Sequence, residues 1–215
     1  MFKTAIKLCT IILLAGAMQS VRAGVAGSPH DLTLKYTGAG ATTETCKYCH
    51  TPHSAQTTVV GAPLWNHGLS TVSSYTMYSS ASSSTFNGGT ATEPGPTSKL
   101  CLSCHDGTMA LDSFATAGVL SPGVASHTIV STALVGKVNV AKTANDLQGE
   151  HPIGFTYATS SGGDSSIKAS PDSRLPLFAG KMECASCHAV HDNTIKGFLR
   201  IDNAGSAMCI GCHTK

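Results

Sequence analysis

The chain has 215 residues, with 14 Lys and Arg against 12 Asp and Glu, and only 12% charged and 6% aromatic residues. A charge so near balance excludes the basic surface that nucleic-acid binding needs. Few aromatics and 22 glycines, amid much Ser and Thr, leave too little large apolar material for a generous side-chain core.

Residues 1–23 read as a secretory signal. Lys3 and Lys7 form its charged start, Leu8 to Met18 its apolar run, and Val21-Arg22-Ala23 a cleavage site before Gly24. Cys9 follows Leu8 inside that run, without the small residues a lipoprotein signal would place before it. No later stretch approaches the ~18 apolar residues of a membrane helix. The expected mature chain, 24–215, is one exported domain without a membrane span, carrying 11 basic and 12 acidic residues.

Eight of the nine cysteines lie in that mature chain, in four pairs with one spacing: "CKYCH" (46–50), "CLSCH" (101–105), "CASCH" (184–188) and "CIGCH" (209–213). Structural zinc or a disulfide framework also uses paired cysteines. Neither calls for a histidine directly after every second one. C-x-x-C-H is the attachment sequence for c-type haem. Two thiols one helical turn apart reach the two vinyl groups of a porphyrin, and the adjacent histidine rises beneath the iron as proximal ligand. The expected cofactors are four haem c, held by Cys46 and Cys49, Cys101 and Cys104, Cys184 and Cys187, and Cys209 and Cys212, with His50, His105, His188 and His213 as proximal ligands. At about 48 mature residues per haem, the macrocycles form the core. The expected fold is mostly irregular coil, with short helices at the attachment motifs and little sheet. Such a chain should not fold without its cofactor.

The other segments carry weaker signals. The Ser/Thr/Gly/Pro-rich stretch 70–98 reads as a loop, laid over the first haem by Tyr75, Tyr78 and Phe86. Val124 to Val140 has the partial alternation of a short strand or hairpin, and "SSGGDSS" (160–166) reads as a turn.

Six histidines remain for the distal faces of four irons: His30, His53, His67, His127, His151 and His191. Met77 or Met109 is the alternative axial ligand, one that would raise a haem's potential. His53 and His191 each lie three residues after a proximal histidine, in "CKYCHTPH" and "CASCHAVH". Positions i and i+3 project from one face of a helical turn, whereas two axial ligands approach an iron from opposite faces. Each must therefore serve a different haem packed alongside. In "GEHPIGF", Pro152 biases His151 toward extended backbone; His30, in "SPHDL", sits on a short arm near the mature start. His67 and His127 carry no comparable signature and stand in reserve. A motif with the extra histidine precedes one without it in each half, although the gaps differ, 50 residues against 20.

The set "CKYCHTPH", "PLWNH", "KLCLSCHDGTMALD", "HPIGF", "ECASCHAVHD" and "MCIGCH" resembles the exported multihaem cytochromes with doubled C-x-x-C-H motifs. It is most similar to their filament-forming tetrahaem members. The resemblance implies bis-histidine haems wrapped in coil and stacked into a continuous electron path. It also implies self-association, with one haem completed by a histidine of the adjacent subunit. Carried onto this chain, it makes His53 the donated ligand and the haem of His188 its recipient. His191 then serves the haem of His213, and His30 and His151 serve the other two. The expected function is extracellular electron transfer without substrate chemistry, to other redox proteins or extracellular acceptors, from the cell surface. A soluble periplasmic tetrahaem shuttle is the alternative, and a multihaem reductase a more distant one: no motif ends in Lys, and no cluster of catalytic acids adjoins a motif.

Overall fold

The computed structural model describes residues 24–34, 43–81, 83–84, 86–88, 91–109, 111, 113, 140–141, 145–158 and 165–214. The expected signal, His127, and all but the ends of the Val124–Val140 and 160–166 segments lie outside the described residues.

Among the described residues there is no extended strand, and one helix exceeds a single turn. That helix, α1, runs Pro96–His105. Pro96 sits in its first turn, where proline's missing N–H costs nothing, and Asp106 caps its end through an N–H bond to the Leu102 carbonyl. A one-turn helix, α2, spans Cys184–Cys187. Single 3-10 turns cover Leu32–Leu34, Thr45–Tyr48, Ala204–Ser206 and Cys209–Gly211. Each of the four cysteine pairs thus lies on a helical turn, as the attachment chemistry requires.

In place of sheets the chain uses isolated bridges, and three of the six fall on the histidines of the C-x-x-C-H motifs: His50 with Trp65, His188 with Leu199, and His213 with Ile167, all antiparallel. One hydrogen-bonding device recurs around them. The carbonyl of the second cysteine accepts from the residue after the bridge partner: Cys49 from Asn66 at 2.9 Å, Cys187 from Arg200 at 2.9 Å, and Cys212 from Lys168 at 2.8 Å. The residue after the histidine donates to the residue before the partner: Thr51 to Leu64 at 2.8 Å, Ala189 to Phe198 at 2.7 Å, and Thr214 to Ser166 at 2.9 Å. A turn that ends in a bridge satisfies the backbone groups a short helix leaves orphaned. It also fixes the histidine's direction.

The apolar core is small. Tyr75, Met77, Ala91, Leu102, Ala141, Leu147, Phe155, Tyr157 and Met182 form one cluster, with Phe86, Cys187 and Cys212 packed at its edge. Of the largest side chains that are fully buried, only Leu102 lacks a polar group; the others include His67, Asn66, Asp106 and Glu183. Hydrogen bonds therefore hold the interior as much as apolar contact does. The expected cover of the first motif by the 70–98 stretch takes another form. Tyr75 donates its hydroxyl to Asp106 at 2.7 Å, beside the second motif, and Phe86 stacks edge-on against Phe155 at 5.6 Å. That segment lines the apolar cluster under α1, because its aromatic rings find Leu102 and Phe155 there.

Candidate haem-binding sites

At three of the four motifs the histidine's backbone N–H closes a four-residue ring onto the first cysteine: His50 to Cys46 at 2.9 Å, His188 to Cys184 at 3.1 Å, and His213 to Cys209 at 2.9 Å. At the remaining motif Cys101 and His105 occupy the same offset within α1. Two rings are further fixed through Nδ1. His50 contacts the Pro63 carbonyl at 2.5 Å, and His188 the Gly197 carbonyl at 2.9 Å. An Nδ1–H held by a carbonyl leaves Nε2 as the free lone pair, the arrangement a metal-bound imidazole uses. His151 and His67 show the same contact, to the Pro152 carbonyl at 3.0 Å and the Gly68 carbonyl at 2.8 Å.

The histidines outside the motifs are brought close to those inside them. His191 lies 6.0 Å from His50, His30 lies 5.9 Å from His105, and His151 lies 6.5 Å from His213, measured between ring centroids. Two imidazoles on one iron place their centroids about 6–6.5 Å apart, from two metal–nitrogen bonds of about 2 Å and about 1.1 Å more to each ring centre. The three pairs fit that span. Among the described residues no such ring pair forms at His188. Burial pushes His30 down to about 4, with His105 and His188 adding to the effect, and burial also lowers His151. For His30 this favours the neutral form that ligates metal.

His30 is held firmly for a residue on a short arm. Its ring stacks on Phe198 at 4.4 Å, and the arm's first residue, Gly24, donates to the His191 carbonyl at 2.6 Å. Asp31 ties the arm's turn by accepting from the Gly27 N–H at 2.7 Å and the Thr33 N–H at 3.1 Å. His53 differs: among the described residues its ring pairs with no motif histidine, and its carbonyl accepts from Thr51 Oγ1 at 2.9 Å. His67 is 2% exposed. The pairing of His191 with the His213 motif is not what forms: His191 faces His50, and His151 faces His213. The loop after His188 turns away from the terminal motif, through the Ala189–Phe198 and Asp192–Ala189 backbone bonds. Met77 packs inside the apolar cluster, and Met109 lies against Gly68.

The second and third motifs are brought together, since α1 and α2 pack against each other. All eight described cysteines are free thiols, standing where thioether sulfurs would be. Burial pushes Cys104 up to about 12, with Cys49 the next contributor. The Cys101 thiol is raised by hydrogen-bond contact with Cys184. Burial pushes Cys187 up to about 11, with Cys212 next. Sequence reasoning missed this contact order because it depends on α1 lying against α2.

A family model described as Doubled CXXCH motif matches residues 176–215, which hold the last two motifs. This supports a multihaem c-type cytochrome. Covalently bound haem c, with its iron, is the cofactor such motifs indicate, and electron transport the corresponding role. None of the curated proteins compared with the chain matches it. Among the described residues of this candidate cytochrome, no helix is long and apolar enough to cross a membrane.

Proposed function

We propose that the protein carries electrons through four covalently bound, bis-histidine haems, without substrate chemistry, as the subunit of an extracellular cytochrome filament. The observation that carries this reading is the set of three histidine ring pairs at 5.9–6.5 Å, each joining a motif histidine to one from elsewhere in the chain. Haem c supplies one-electron oxidation and reduction at its iron. At three of the four motifs the chain's own histidines would fill both axial places, leaving none there for a small molecule. His50 with His191, His105 with His30, and His213 with His151 are the proposed axial pairs. The cysteine contacts support a haem order that follows the sequence, through Cys49 and Cys104, then Cys101 and Cys184, then Cys187 and Cys212.

The fourth proximal ligand, His188, takes its partner from a second copy of the chain: the exposed His53. Resemblance to filament-forming cytochromes supports this, as does the inability of His53 to reach over its own haem. Export through cleavage before Gly24 rests on the signal-like first 23 residues, and a cell-surface destination on the resemblance to filament-forming cytochromes.

Electron microscopy of the secreted fraction tests the reading. Filaments that disappear in His53→Ala, with one haem in four losing its low-spin spectrum, are the expected result. Monodisperse particles at high concentration with every haem six-coordinate would overturn the filament and assign the fourth place to His127 or His67 within the chain.

A further inference from the structure

Glu183 directly precedes Cys184 and is 1% exposed, although nothing in the attachment chemistry asks for a carboxylate there. Its side chain accepts from three donors on two helices: the Gly95 N–H at 3.1 Å, the Ser98 hydroxyl, and the Ser186 N–H of its own capping box. Gly95 and Ser98 belong to the start of α1, 88 and 85 positions away in sequence. The tie is reciprocal, since Ser98 Oγ accepts from the Cys184 N–H at 3.0 Å, and the Glu183 N–H donates to Ser186 Oγ at 3.0 Å. A β-carbon at Gly95 would overlap Glu183 Oε1. The two helices joined in this way hold Cys101 and Cys184, and they pack against each other. A buried carboxylate costs several kcal/mol unless it is fully hydrogen-bonded, so a chain that keeps one here has a use for its position or its charge.

We propose that Glu183 is a positioning residue: its carboxylate ties α1 to α2, fixes the haem of Cys101 and Cys104 against the haem of Cys184 and Cys187, and lowers the potential of both. The proposal rests on the reading that both motifs carry haem. The carboxylate supplies positioning because its donors come from both attachment helices at once. It tunes potential because a negative charge in a low-dielectric interior favours the more positive, oxidised iron.

The test uses the haem-loaded mature protein. Glu183→Gln preserves the acceptor oxygen and removes the charge. Two of the midpoint potentials should rise while the Soret exciton couplet, which reports haem–haem orientation, stays as in the wild type. Glu183→Ala and Ser98→Ala break the tie and should alter the couplet at full haem content by pyridine haemochrome assay. Should Glu183→Ala fail to load haem, Ser98→Ala, which keeps the carboxylate, decides the positioning role by itself. A wild-type couplet in the tie-breaking variants overturns positioning, and unchanged potentials in Glu183→Gln overturn the charge effect. Mass spectrometry of the wild type separates the underlying reading: a missing haem at either motif removes that reading and this proposal together.

Discussion

The segments 46–53 and 184–191 begin alike and end differently. Both carry the attachment turn, both clamp the motif histidine by an antiparallel bridge, and both bind that histidine's Nδ1 to a carbonyl two residues before the bridge partner, Pro63 or Gly197. Even the residue between is strained alike, Leu64 with φ 54° and Phe198 with φ 58°. Yet the His191 ring lies beside that of His50, whereas among the described residues the His53 ring meets no other histidine. The difference comes from what packs on each loop. The arm 24–34 bonds the His191 carbonyl through Gly24 and seats His30 on Phe198; the turn after His50 is held locally, by Thr51 on the His53 carbonyl. Identical local chemistry thus yields a paired histidine in one place and an unpaired one in the other, among the described residues.

The largest test removes what both segments share. Apoprotein, with the cysteines kept reduced, should show no cooperative transition by circular dichroism on heating, since the apolar cluster is too small to hold the fold without the haems. A sharp melt would mean that bridges and the small apolar cluster suffice. Next, His191→Ala should convert one haem in four to a high-spin, carbon monoxide-binding form in dispersed and assembled protein alike, read by absorption and electron paramagnetic resonance. His53→Ala should leave the dispersed protein's spectrum unchanged; equal spectra for both variants in dispersed protein would erase the distinction.

The strained pair gives effects of opposite sign. Phe198 is 5% exposed and carries His30, so Phe198→Gly should destabilise the haem-loaded protein by about 2–3 kcal/mol, the aromatic burial outweighing the strain relieved. Leu64 is 54% exposed, so Leu64→Gly loses little packing and should stabilise it by about 0.5 kcal/mol, after the extra entropy of the unfolded chain is set against the relief. Denaturant titration of the two holoproteins measures both; a common sign would mean that the segments do not share their backbone device.

Much of the site was legible because its chemistry is local. Two cysteines on one turn with a following histidine can be recognised in five residues, and the helical turns at 46, 101, 184 and 209 lie where that pattern puts them. The His191 ring lies beside the histidine of another motif, 6.0 Å from His50. Which motif it faces was not legible, because that depends on the arm 24–34 and on the Ala189–Phe198 bond, both decided across the fold. The aromatic rings of the 70–98 stretch went astray for the same reason: a Ser-rich loop carries no period, and the position of Tyr75 is set by a carboxylate 31 residues on.

The attachment chemistry is written in short stretches: eight of the nine cysteines in four C-x-x-C-H motifs, each closed by a histidine, in a chain poor in large apolar side chains. Covalent attachment needs only neighbours in the chain, so spacing suffices to specify it. What joins one motif to another is set by the fold: the His191 ring beside that of His50, α1 against α2, and Glu183 bonded across them. These contacts close loops of tens of residues, and their partners are chosen by packing and burial, which no short stretch of sequence contains.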